Sequence, residues 1–439
     1  MLASTVERLQ EVGTAFRKLL LSDALTLLGL MVGQVALPWW IVKQGGALHL
    51  AQYGLTTGFA AFAAMPLLAP LGDRYPKNRL ITAGLLAMAV AALLMTVLAS
   101  LGQYHFLPLL LAGCLQVIAL AVINPAVSSI SSELVPPERL TDALSLQKTA
   151  QSLGRLLGPA LAGLMLAVAS IPITLGLHCA LLLIAALYAR HIPTHSIEHP
   201  KGYSLARWRR DLLAGLRASW QVPLERYWTL ANFTSWLFLG PAVGMLVPIK
   251  VHALGLSGSW LGACEAALSA GMLIGTLGAA GWFMARFSRY QLRVGAGVAQ
   301  GLTLALAGFT QSPWLLLPAL FGCGLTNTIL ILVGMTHRML ARPLAFRSRM
   351  SAVAIMSGQL AGSLGPALAG VMLSQHSVAA VYVSFGLLGA AFATSLALVP
   401  GFKTFMNLDH NKVRDWYGKQ YPEAFREPGG TSQTAEQTG

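Results

Sequence analysis

Residues 153–166 read LGRLLGPALAGLML, and residues 363–373 read SLGPALAGVML, so that the hexamer GPALAG occurs at Gly158–Gly163 and again at Gly365–Gly370. The agreement extends at the same offset to Pro136 and Pro343, Leu153 and Leu360, and Leu157 and Leu364. A repeated hexamer with matching flanks marks two copies of one structural unit. Each copy lies in an apolar run, and a Gly-Pro helix with small residues four apart lets a neighbouring backbone approach closely.

Working outward from the two hexamers, apolar segments long enough to cross about 30 Å at about 1.5 Å per residue fall at 18–42, 50–71, 79–100, 105–130, 142–168 and 171–190. A second set falls at 227–250, 258–284, 293–311, 313–337, 346–374 and 378–400. The expected class is therefore all-α and integral to a membrane, with twelve transmembrane helices in two pseudo-symmetric six-helix bundles. The division expected is a leader at 1–17, a first bundle at 18–190, a linker at 191–226, a second bundle at 227–400 and a tail at 401–439. The first apolar run follows a charged leader and is long enough to span, so it is expected to remain as the first helix rather than to be cleaved. In the linker, SLARWRRDLLAGLRASW places Leu205, Trp208, Leu212, Leu216 and Trp220 at helical spacing, which describes an interfacial helix.

Composition agrees. The chain has 439 residues, 55% of them hydrophobic and only 10% charged, against roughly 25% charged in a soluble domain. The net charge of +14 does not indicate nucleic-acid binding, because the basic residues are not gathered on a soluble face. All but four of the 30 Lys and Arg fall on one side of the expected topology, as positive charge retained in cytoplasmic loops requires. Both ends are thus expected in the cytoplasm, and the expected location is the cell inner membrane. Four isolated cysteines, the absence of a phosphate-binding Gly-Lys-Ser/Thr loop and the lack of a triad or metal-ligand spacing leave no catalytic, cofactor or metal assignment.

The turn after the second span reads APLGDRYPKNRL, residues 69–80. It resembles the signature of the major facilitator superfamily, G-x-x-x-D-R-x-G-R-R, although Ala69 and Pro76 replace glycines and Asn78 a basic residue. The resemblance implies a gate formed by Asp73, Arg74, Lys77 and Arg79, or a purely structural turn orienting two helices. It also implies a bending role for Gly154, Gly158, Pro159 and Gly163 in the fifth span, with Gly365 and Pro366 as their counterparts. The basic residue that the antiporter families carry in the fourth span is missing, since AGCLQVIALAVINPAV offers Gln116 and Asn124 instead. DLLAGLRASWQVP, ELVPPERLTDALS and RPLAFRSRMSAV resemble the third drug-efflux group, which includes macrolide-efflux and enterobactin-exporter-like proteins.

Ionisable residues inside a bilayer are costly and therefore functional suspects. Arg155, about 20 Å along its helix from Asp142, is placed near the midplane, either to hold an anionic group or to pair with Glu265 or Asp23. Glu265 and Asp23 are the carboxylates that could carry a proton. Gln116, Asn124, Asn232, Trp236 and Asn327 are the other expected substrate contacts. These residues point to a secondary-active exporter of a small amphiphilic molecule, a siderophore or similar anionic metabolite, that exchanges its cargo for protons, and the resemblance to the superfamily implies a monomer. A multidrug or macrolide pump is the alternative, and a non-transporting receptor using the linker helix and tail as docking surfaces is the reading from another class.

Overall fold

The computed structural model describes residues 13–68, 75–135, 139–193 and 205–426, and among them there is helix and no strand. Among the described residues eleven helices are long and apolar enough to cross a membrane. The first, α1 (Gly13–Leu68), joins two crossing segments at Gly46. With φ at 69°, Gly46 turns the chain where a side chain would be strained. The stretch between the first two expected spans is thus a sharp break in one long helix, and the spans total twelve.

In the first half α1 is followed by α2 (Lys77–Ser100), α3 (Phe106–Leu134), α4 (Leu140–Val168) and α5 (Ile171–Arg190). A connecting helix, α6 (Leu205–Gln221), leads to the second half: α7 (Pro223–Val243), α8 (Leu246–Ala253), α9 (Gly258–Ile274), α10 (Ala280–Met284), α11 (Arg289–Phe309), α12 (Pro313–Ala341), α13 (Leu344–Leu373) and α14 (Val378–Thr394). The seventh span is divided into α7 and α8 near Pro241 and Gly244. The eighth runs from α9 through a π turn at Gly275–Ala279 into α10. Helices dominate because a bilayer offers no water to satisfy backbone groups, so each span must satisfy its own.

Within each half the helices pack on one another, and the halves touch mainly where α13 meets α1 and where α9 meets α4. The repeated hexamers sit at both kinds of contact. Gly158 packs on Met31 of α1 and its counterpart Gly365 on Leu237 and Pro241 of α7, each the first helix of its own half. Gly163 lies against the backbone of Gly262 in α9, and Gly370 against Ala51 of α1, each across the seam. One hexamer therefore performs two tasks in each half, binding the half together at its start and meeting the opposite half at its end.

Two connecting elements pack on the second half. The linker helix α6 buries its small residues, Gly215, Ala218 and Ser219, against the protein, with Gly215 close to the Arg349 carbonyl of α13. Leu216 and Trp220 remain exposed. Asp211 pairs with Arg349 at 2.9 Å and fixes the helix to α13. The polar tail is not a free appendage up to residue 426. It forms α15 (Phe402–Met406), α16 (His410–Val413) and α17 (Trp416–Gln420), broken by turns. Phe402, Phe405, Val413 and Tyr417 are fully or almost fully buried against the second half, in one core with Trp228 and Met350. That burial removes the described tail from consideration as an open docking surface.

Candidate functional site

A cavity of about 850 Å³ lies between the halves. The first half contributes Gln34 from α1 and Gln151 and Arg155 from α4; the second contributes Trp236 from α7, Glu265 from α9 and Pro366 from α13. Arg155 and Glu265 reach it because each occupies the inward stripe of a helix whose small residues pack at the seam. The cavity stops where Gly163 and Gly262 meet. A Cβ on Gly163 would lie 2.6 Å from the Gly262 Cα, and one on Gly262 would overlap the Gly163 backbone. Its lining runs along α4 from Pro159 back to Lys148 and along α9 towards Thr276. The open end therefore lies at the start of α4 and the end of α9, where the basic turns gather.

Among the described residues Arg155 forms no ion pair, and Glu265 has neither a hydrogen bond nor an ion pair. The pairing of Arg155 with Glu265 or Asp23, one of the two sequence expectations, is not present. Asp23 instead accepts hydrogen bonds from Gln147 Nε2 at 3.0 Å and Gln151 Nε2 at 2.8 Å. The Gln147 Oε1 in turn accepts from Ser131 at 3.1 Å. Asp23, Asn124, Gln151 and Arg155 line a smaller cavity of about 300 Å³ inside the first half, which Arg155 and Gln151 share with the central one.

The remaining candidates separate. Asn232, Trp236 and Asn327 line a third cavity, within the second half, and Trp236 also faces the central one. Gln116 turns into the first half instead, where its amide meets His178 Nε2 at 2.9 Å while His178 Nδ1 lies 2.7 Å from the Gly29 carbonyl. Gly154 packs on Leu27 of α1.

Sequence reasoning missed a buried charge cluster. Glu225, in the first turn of α7 and 0% exposed, is gripped by Arg338 and Arg342. Arg338 uses Nε at 3.1 Å to both carboxylate oxygens and Nη2 at 2.8 Å, and it also donates to Thr229 at 2.6 Å. Arg342 donates a further bond to Ser351 at 2.8 Å. Such a forked arrangement, with several charge-assisted hydrogen bonds to one carboxylate, is what permits a buried carboxylate to stay charged.

The sequence profile of the Major Facilitator Superfamily matches residues 19–342, well over half of the chain. The chain belongs to the Major Facilitator Superfamily. Its fold agrees: a solved peptide transporter of the POT type, bound to sulfate, superposes with a TM-score of 0.70 at 14% identity, over 90% of this chain and 96% of that one. A bacterial homologue of the iron transporter ferroportin, in an inward-facing state, gives 0.70 at 17% identity over 87% and 98%. A bacterial homologue of the lysosomal transporter Spinster, also inward-facing, gives 0.64 at 15% over 91% and 98%. Macrolide efflux protein A of Streptococcus pyogenes is 23% identical over 147 residues, 33% of this chain and 36% of that protein. The matched stretch thus spans about a third of that relative.

Membership makes the protein a multi-pass membrane transporter of small molecules and not an enzyme. Of the superfamily's signature turn, Asp73 and Arg74 lie outside the described residues. Lys77 forms an ion pair with Glu133 at the end of α3. Asn78 donates to the Ile192 carbonyl at 3.0 Å, and Arg79 is exposed.

Proposed function

We propose that this Major Facilitator Superfamily protein is a secondary-active exporter of a small amphiphilic anion, a siderophore or similar metabolite, and that protons drive it. The observation that carries the reading is the central cavity, where Arg155 of the first half and Glu265 of the second both border a space of about 850 Å³. Arg155, free of any carboxylate among the described residues, supplies a counter-charge for an acidic cargo. Glu265, likewise unpaired, is suited to take a proton at one face and release it at the other. In this reading the Gly163–Gly262 seam closes the outer end, the basic loops and both termini lie in the cytoplasm of a cell whose inner membrane holds the protein, and the chain acts as a monomer. Lys77 and Glu133, with Asp73, Arg74 and Arg79, form the inner gate, which closes as the two halves rock.

The test compares secreted and cell-retained siderophore in iron-starved cells of the source organism with and without the gene. Export predicts less outside and more inside; unchanged distribution would sink the metabolite reading. In proteoliposomes Glu265→Gln is expected to abolish uptake driven by a pH gradient while leaving cargo exchange at equal pH, whereas persistence of gradient-driven uptake would remove Glu265 as the proton carrier. The 147-residue similarity to macrolide efflux protein A favours a second reading, macrolide efflux, which predicts lowered macrolide tolerance on deletion and little dependence on Arg155.

A further inference from the structure

The third cavity, of about 420 Å³, is enclosed by α7, α11, α12 and α13 and has no part in the reading above. It borders the central cavity at Trp236 and Ile331, which line both. Its volume suits a small molecule, for which pockets run about 300–1,000 Å³.

Three guanidinium groups line it: Arg293, Arg338 and Arg342. Arg338 and Arg342 share Glu225, the one carboxylate that touches any of the three among the described residues. Arg293 has none. It enters from the second turn of α11, is only 6% exposed, and makes a single long hydrogen bond, 3.3 Å from Nη2 to the Asn232 Oδ1. Its Nε has no partner, and its guanidinium lies 5.9 Å from the centre of the Trp228 ring. Gln300, 1% exposed on the same helix, has an unpartnered Oε1. Three cations against one carboxylate leave two positive charges without a counter-ion beside apolar walls that include Trp228, Phe233 and Trp236.

A buried cation without an anion is strongly unfavourable unless something completes it. Here the space beside it borders the transport cavity and is not filled by side chains. The geometry points to a second ligand site within the second half, which binds the carboxylate or sulfonate of an aromatic or amphiphilic molecule through Arg293, with the tryptophan rings against its apolar part. Arg293 also offers a planar fork matched to such a group. The site extends the transporter reading, but its test measures binding and not transport, so a failure of the export hypothesis would leave it standing.

The full chain is purified in lipid nanodiscs, and tryptophan quenching is titrated with 4-nitrobenzoate and with its neutral counterpart 4-nitrobenzamide. The acid is expected to bind at least about tenfold more tightly than the amide, a difference equivalent to about 1.4 kcal/mol. Arg293→Gln is expected to erase that preference, whereas Arg210→Gln, at an exposed position of the linker helix α6, retains it. Absence of the preference in the parent protein, its survival in Arg293→Gln, or its loss in Arg210→Gln would overturn the assignment. Should Arg293→Gln fail to yield monodisperse protein, Met335→Phe decides: Met335 lines the cavity and is 57% exposed, so the larger ring fills part of the space and leaves all three arginines in place. Weakened binding of the acid supports the site, and unchanged binding overturns it.

Discussion

In the first half the carboxylate of Asp23, on α1, is held by two neutral amides, Gln147 and Gln151; in the second, Glu225, on α7, is locked between two guanidinium groups. At the offset of the two hexamers Asp23 corresponds to Leu230, Glu225 to Lys18 and Ser131 to Arg338, so the two halves place their buried carboxylates and partners at different positions of the repeat. Amide hydrogen bonds can be exchanged at little free-energy difference. A forked ion cluster out of water has to be kept or broken as a unit. The second half is also the one on which the tail is packed. The halves share a helical plan but differ in rigidity: the second is braced by charge and by the tail, while the first keeps an adaptable polar network open to the central cavity.

The most damaging way to break that comparison is to remove the brace. Deleting every residue after Gly401 removes Phe402, Phe405 and Tyr417 from sites where they are 0%, 1% and 0% exposed. At about 1.5–3 kcal/mol for each large apolar side chain, the loss is at least about 5 kcal/mol and falls on the second half. Thermal unfolding in detergent should show a collapse of the midpoint or aggregation; a midpoint like the parent's would mean that the tail contributes no packing. For that reason transport after tail truncation does not discriminate a transporter from a docking protein.

Glu225→Gln follows in size. It strands Arg338 and Arg342 in a buried position, and breaking one partner of such a cluster destabilises by about 3–5 kcal/mol. Replacing Glu225 by leucine together with Arg338→Met and Arg342→Met should restore most of the loss, because neither arginine of the cluster is left stranded. If the triple variant is no more stable than Glu225→Gln, packing and not charge is what the cluster supplies.

The architecture was legible from apolar runs and from the repeated hexamer because both depend on local composition. The charge cluster was not. Its partners lie 113 residues apart, and each arginine falls at the end of a span, where the positive-inside pattern accounts for it as a loop charge. Arg293 was hidden in the same way. The tail concealed its packing because Phe402, Phe405, Val413 and Tyr417 are spread singly among polar residues, with no apolar run around them. Gln116 shows the reverse error: a polar residue in the middle of a span suggested a cavity contact, yet a histidine in a neighbouring helix satisfies it.

Asp23→Asn is the smallest expected effect and the sharpest comparison with Glu225→Gln. The substitution removes a charge but keeps one acceptor oxygen. Gln147 Nε2 and Gln151 Nε2 both donate to the same oxygen, Oδ2, at 3.0 and 2.8 Å. An asparagine that places its one oxygen there accepts from both, and neither glutamine has to turn. Both hydrogen bonds survive, and the change in unfolding free energy should remain within about 1 kcal/mol, read as a thermal midpoint close to the parent's. A loss as large as that of Glu225→Gln would show that Asp23 is held by charge after all, with Arg155 or Lys148 as its partner, and the contrast between the two halves would fall with it.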